Sequence, residues 1–159
     1  MKNYIAYGSN MDLAQMAHRC PDAELLGTGM LVGWELLFKG SLTGSYATIE
    51  RKAGAEVPVL LWRVSKEDEE RLDRYEGFPH FYYKKTVAVA EFAPLSGHSA
   101  ATSRRRGMAY VMHEERKLGL PSEDYFLVLA DAYEKFGFDL NILRQGVMNS
   151  RPSFMTKSA

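Results

Sequence analysis

Cysteine is almost missing: Cys20 stands alone in 159 residues, which excludes an internal disulfide and a multi-thiolate metal site within one chain. Net charge is missing too. Twenty basic residues balance twenty acidic ones, so no whole-molecule field steers nucleic acid or an anionic membrane surface. No segment reaches the ~18 apolar residues of a membrane helix, and Met1 to Gly8 holds no apolar run of signal-peptide length. The four histidines, His18, His80, His98 and His113, show no His-x-x-x-His or Glu-linked metal spacing, so no metal is expected. These absences predict a soluble cytoplasmic protein whose partner preferences are local.

What is present is an ordinary globular composition, 46% hydrophobic and 25% charged, spread along the whole length. It predicts one domain over residues 1–148 and a weakly structured polar tail over 149–159. Lys2 to Tyr7 alternates as a strand that stops at Gly8. Ser9 and Asp12 then have the spacing of a capping box, with Leu13, Met16 and Ala17 at helical intervals before Pro21. Four β-like runs follow, Leu25 to Val32, Trp34 to Lys39, Tyr46 to Glu50 and Val57 to Val64, separated by Gly-containing turns and reading as a mostly antiparallel sheet. Ser65 caps a helix with an acidic first turn, Gly77 fits its C′ position, and Pro79 bars continuation. Two strands come next, Tyr82 to Phe92 and Gly107 to Met112, around an exposed loop holding Ser96 to Ser99 and Arg104 to Arg106. Ser122 opens a third helix striped by Phe126, Leu129, Ala130 and Tyr133 and stopped by Gly137, and Asp139 caps a short last helix through Val147. The class is α+β.

Two places carry chemistry. On the helix opened by Ser65, residues Leu72, Tyr75 and Glu76 share a face, which aims a carboxylate inward beside Leu72, Tyr75 and Phe78. Its place in the last turn adds the negative end of the helix dipole, roughly 0.3 to 1 kcal/mol against a second anion. Both effects raise its proton affinity, as a general acid and base near neutral pH requires. The bland alternative is a solvated glutamate near a helix end. The loop Tyr7-Gly8-Ser9-Asn10-Met11 is either a tight turn or a cradle whose successive N–H groups hold a carboxylate or oxyanion. It matches neither G-x-x-x-x-G-K nor G-x-G-x-x-G, so it is not a nucleotide loop.

Together, Tyr7-Gly8-Ser9-Asn10-Met11 and Leu72-Asp73-Arg74-Tyr75-Glu76-Gly77-Phe78-Pro79, followed by Tyr82, Lys84 and Val87, resemble the γ-glutamylcyclotransferase-like family, which includes the avirulence-induced-gene-like proteins. Ala109 to Met112 and Pro121 to Tyr125 extend the likeness more loosely. The resemblance implies a small mixed, mostly antiparallel β-barrel flanked by helices, no cofactor, and cyclisation of a γ-glutamyl group to 5-oxoproline. It implies that Glu76 moves the proton and that Gly8, Ser9 and Asn10 hold the substrate, with Tyr7 as a wall of the site. Met11 is carried over with that loop, and Tyr82, Tyr110 and Tyr125 are further candidates for lining it. A small γ-glutamyl compound is then the partner, with no nucleic acid and no membrane; oligomeric state is not legible.

Other constellations are weaker. Cys20, just before Pro21, reads as packing before it reads as a nucleophile, and Ser9 lacks the Gly-x-Ser-x-Gly elbow. Arg104 to Arg106 are the one basic run, with a solvated loop the ordinary explanation and nucleic-acid binding the alternative. A non-catalytic module holding a small carboxylate or a peptide on the same fold is the competing function.

Overall fold

Two long strands carry most of the sheet in the computed structural model, which describes residues 1–41, 44–95 and 103–152. Strand β1 spans Lys2–Ala6, and helix α1 (Leu13–Arg19) leads to β2 (Glu24–Lys39) and β3 (Tyr46–Val64). Helix α2 (Lys66–Glu76), strands β4 (Tyr82–Pro94) and β5 (Arg105–Met112), then helices α3 (Glu123–Phe136) and α4 (Leu140–Asn149) complete the order. The strands close into a barrel in the order β1-β3-β2-β4-β5. Every pairing is antiparallel except the closing one, where β1 runs parallel to β5 through Tyr4 and Met108. Closure removes the free edges that an open sheet must protect.

The four β-like runs expected between Leu25 and Val64 are two continuous strands. Gly33, at φ +85°, does not end a strand; it sits in a register shift between the pairs Val32–Glu56 and Trp34–Arg51. The opposite strand accommodates the shift with residues 52–55, where Gly54 also takes a positive φ. A glycine with positive φ serves a bulge as readily as a turn, and sequence does not separate the two. Arg105 and Arg106 likewise lie in β5 rather than a loop, although they and Arg104 are exposed. The expected exposed loop over Ser96 to Ser99 lies outside the described residues.

Helix boundaries follow cap chemistry. Ser65 and Asp68 form the full reciprocal capping box of α2, and Gly77 ends it at φ 62°. Ser122 caps α3 by accepting from Tyr125 N–H, Gly137 ends it at φ 70°, and Asp139 caps α4. The first helix differs from expectation. Asp12, not Ser9, is its N-cap, accepting from the Gln15 N–H at 3.0 Å. Ser9–Met11 instead form one 3₁₀ turn, because Met11 N and Asp12 N donate to Gly8 O and Ser9 O, both at 3.0 Å.

One core joins these parts: Ile5, Leu31, Ile49, Leu61 and Met112 from the barrel meet Met16 of α1, Leu72 of α2, Leu129 and Tyr133 of α3 and Leu143 of α4. Helix α4 lies so close to β2 that a Cβ on Gly146 would stand 2.9 Å from Leu36 O. The expected tail is anchored at its start. Ser150 is fully buried, its Oγ accepting from Phe38 N–H at 2.8 Å and donating to Gly146 O at 2.6 Å. The remainder, 153–159, lies outside the described residues. Among the described residues no helix is long and apolar enough to cross a membrane.

Candidate active site

The end of β1, the 3₁₀ turn and the last turn of α2 converge on a cavity of about 440 Å³, within the ~300 to 1,000 Å³ usual for small-molecule sites. Tyr7, Gly8, Ser9, Asn10, Glu76, Tyr82, Tyr110 and Tyr125 all line it. Met11 does not. It is 1% exposed and belongs to the core, the turn having directed its side chain inward while the preceding residues face the cavity.

Asn10 makes the loop rigid. Its Nδ2 donates to Tyr4 Oη at 2.9 Å, its Oδ1 accepts from Arg19 Nη1 at 2.8 Å, and its backbone oxygen accepts from Trp62 Nε1 at 3.1 Å. With the side chain and the backbone oxygen of this buried asparagine engaged, its backbone N–H is left for other work. The N–H groups of Gly8, Ser9 and Asn10 have no partner among the described residues. A side chain at Gly8 would intrude, since its Cβ would lie 3.1 Å from Tyr125 Oη and 3.5 Å from Ala47 Cβ.

Glu76 ends α2 four residues after Leu72, which is fully buried and sets the inward face. The carboxylate is half-buried and takes no hydrogen bond or ion pair from the described residues. Loss of water around it lifts its pKa from the ordinary 4.5 to about 7, against the opposing pull of the Arg19 guanidinium. Of the expected apolar neighbours Leu72 is buried, but Tyr75 is 53% and Phe78 37% exposed. A ring of tyrosines takes their place. Burial, reinforced by the charge of Glu76, raises the phenols of Tyr4, Tyr7, Tyr82, Tyr110 and Tyr125, so all remain protonated at neutral pH. Each is held. Tyr7 Oη donates to Tyr110 O at 2.5 Å, Tyr82 Oη to Ala47 O at 2.8 Å and Tyr110 Oη to Asp73 Oδ1 at 2.6 Å, while Tyr125 Oη accepts from Ala47 N–H at 3.1 Å. Asp73 is braced in turn by Lys84, which also binds Glu69.

Sequence reasoning missed Tyr4, Arg19, Tyr46 and Phe81, all of which line the cavity. Tyr4 and Tyr7 differ by an odd number, which places them on opposite faces of a regular strand; both reach the cavity because β1 ends at Ala6. Arg19, in the last turn of α1, has the local look of a cation complementing a helix dipole. The lone Cys20 lies in the core, where burial pushes its thiol up to about 12. Among the described residues no group of three or more His, Cys, Asp or Glu side chains could hold a metal.

Residues 4–127 match the family model of the γ-glutamyl cyclotransferase, AIG2-like proteins. The chain belongs to this family. Solved structures agree in fold. A γ-glutamyl cyclotransferase is 23% identical, with a TM-score of 0.76 over 99% of this chain and 92% of that one. An uncharacterized Homo sapiens protein gives 25% identity and the same TM-score and coverage. A yeast γ-glutamyl cyclotransferase specific to glutathione gives 10% identity and a TM-score of 0.63, covering 94% of this chain and 96% of that one. No curated protein matches the chain in sequence. The five-stranded mixed closed barrel with its helices is therefore the γ-glutamyl cyclotransferase fold, and the barrel that the two sequence segments implied is the one present.

Proposed function

We propose that this γ-glutamyl cyclotransferase-family chain converts a γ-glutamyl compound into 5-oxoproline and a free amine or amino acid, with Glu76 as the proton carrier. One observation carries the reading: a carboxylate with no partner among the described residues, its pKa lifted to about 7, shares a cavity with the N–H groups of Gly8, Ser9 and Asn10, which have none among those residues either. Those donors suit the α-carboxylate of the substrate or the oxyanion that develops at the γ-carbonyl.

Nucleophile and electrophile belong to one substrate molecule, so the site needs only to hold the cyclising conformer and manage protons. Glu76 takes a proton from the α-ammonium, and the freed amine attacks the γ-carbonyl carbon. The ring C–N bond forms and the carbonyl electron pair moves to oxygen. As the pair returns, the bond to the leaving nitrogen breaks and Glu76 gives that nitrogen its proton. The ring nitrogen yields its second proton to Glu76, which passes it to the released amine and is restored. The phenols around the carboxylate stay protonated and so add no second negative charge beside it, and no step draws on a cofactor. The single buried cysteine suits a cytoplasmic setting.

The test is a panel of γ-glutamyl compounds incubated with wild type and Glu76→Gln, with 5-oxoproline followed by mass spectrometry. Wild type is expected to release it and the variant to fall by roughly 10²- to 10⁴-fold, the usual contribution of a positioned acid/base. Ligand-induced shifts in melting temperature without product would instead favour a non-catalytic binding module.

A further inference from the structure

The last turn of α1 and the C-terminal half of α2 bring His18, Arg19, Arg71, Arg74 and Tyr75 around another cavity, of about 380 Å³. Arg19, Arg74 and Tyr75 also line the first, so the two spaces are neighbours that share these three side chains, and Glu76 lines the first. Cations at helix C-termini have an ordinary explanation in the helix dipole. That does not account for how these ones are partnered.

Among the described residues only one carboxylate, the fully buried Asp68, is bonded to any of the three arginines, through Arg71 Nη1 at 3.1 Å. Arg19 turns Nη1 to Ser9 Oγ and Asn10 Oδ1 and lies over the Tyr75 ring at 4.4 Å. The Arg74 guanidinium is exposed and has no partner among the described residues. An unspent planar fork beside two further guanidiniums and an aromatic wall suits a carboxylate. The same cluster repels an ammonium group. Arg74 and Tyr75 are within two residues of Glu76 on α2 and line the cavity that holds it, which puts this fork beside the reacting group, on the side open to a leaving group.

We propose that Arg74, supported by Arg71 and Arg19, binds a carboxylate on the leaving group, so that the chain acts on γ-glutamyl amino acids or peptides in preference to γ-glutamyl polyamines. The identity of the leaving group rests on the cyclisation proposed above.

Three compounds sharing the γ-glutamyl half isolate this contact: γ-glutamyl-alanine, γ-glutamyl-ethylamide, which lacks only the carboxylate, and γ-glutamyl-putrescine. Both kcat/KM for 5-oxoproline release and Kd by calorimetry are measured on wild type, Arg74→Gln and Arg74→Glu. Wild type is expected to prefer γ-glutamyl-alanine over the ethylamide, and Arg74→Gln to shrink that ratio roughly tenfold, as for one charge-assisted hydrogen bond at a half-wet site. Arg74→Glu should move the preference toward γ-glutamyl-putrescine. A wild type indifferent to the carboxylate, or variants that lower all three compounds equally, would overturn the proposal. Should no compound turn over, the cyclisation reading fails on its own. The Kd ratio then decides: tighter γ-glutamyl-alanine binding that weakens in Arg74→Gln supports the carboxylate site, and equal or absent binding refutes it.

Discussion

Replacing Glu76 with glutamine should make the protein more stable at alkaline pH, and by an amount the site geometry sets. In the folded chain the Glu76 carboxyl holds its proton up to about pH 7, against an ordinary value of 4.5. Between these values the folded state binds more protons than the unfolded one, so stability falls as pH rises through this window. Below it, where both states are protonated, the contribution is absent. At ~1.36 kcal/mol per pKa unit the full cost of ionising Glu76 is about 3 kcal/mol. Glutamine keeps the shape and carries no charge. Glu76→Gln should therefore match wild type near pH 4 and exceed it by up to about 3 kcal/mol at pH 8, roughly 6 to 12 °C in Tm for a chain of this size. Paired thermal and denaturant unfolding of both proteins at pH 4, 6 and 8 measures this difference, in which other titrating groups cancel. A difference that does not change with pH would refute the desolvated carboxylate, and with it the reason Glu76 can act as a base at neutrality.

Two further substitutions probe the frame around the site. Ser150→Ala leaves Phe38 N–H without its buried acceptor and should cost about 1 to 3 kcal/mol in chemical denaturation; a variant as stable as wild type would show that the chain after α4 does not brace β2. Gly8→Ala presses a Cβ onto Tyr125 Oη, which should loosen its bond to Ala47 N–H at a cost of about 1 kcal/mol and lower kcat/KM by more than that alone implies. Unchanged kcat/KM would mean that Gly8 is needed only for the turn.

The parts of the molecule legible in its sequence are those decided within a few residues. Ser65, Asp68 and Gly77 announce both ends of α2 because caps satisfy nearby backbone groups, and the i, i+4 spacing of Leu72 and Glu76 then turns the carboxylate toward the barrel. Asp12 shows the limit of that logic: Ser9 and Asp12 have capping-box spacing, yet two i to i+3 turns end the competition in favour of Asp12. Gly33 and Gly54 read as strand ends because nothing local says that β2 and β3 pair across the irregularity. Parallel closure of β1 on β5 and the reach of Arg19 to Asn10 depend on chain segments brought together by the fold, so no periodicity carries them. Tyr75 was expected inward with Glu76 but faces out under Arg19, since a cation gives an aromatic ring a partner at the surface.

The most direct measurement is the pH profile of kcat/KM for 5-oxoproline release from γ-glutamyl-alanine. With Glu76 as the base in the free protein, the rate should rise about tenfold per pH unit in acid and level off through about pH 7, the value its surroundings impose, until the ammonium of the substrate itself begins to titrate. Glu76→Gln should lose the activity and the inflection together. A profile flat from pH 5 to 8, or a Glu76→Gln protein that turns over as wild type does, would contradict the account.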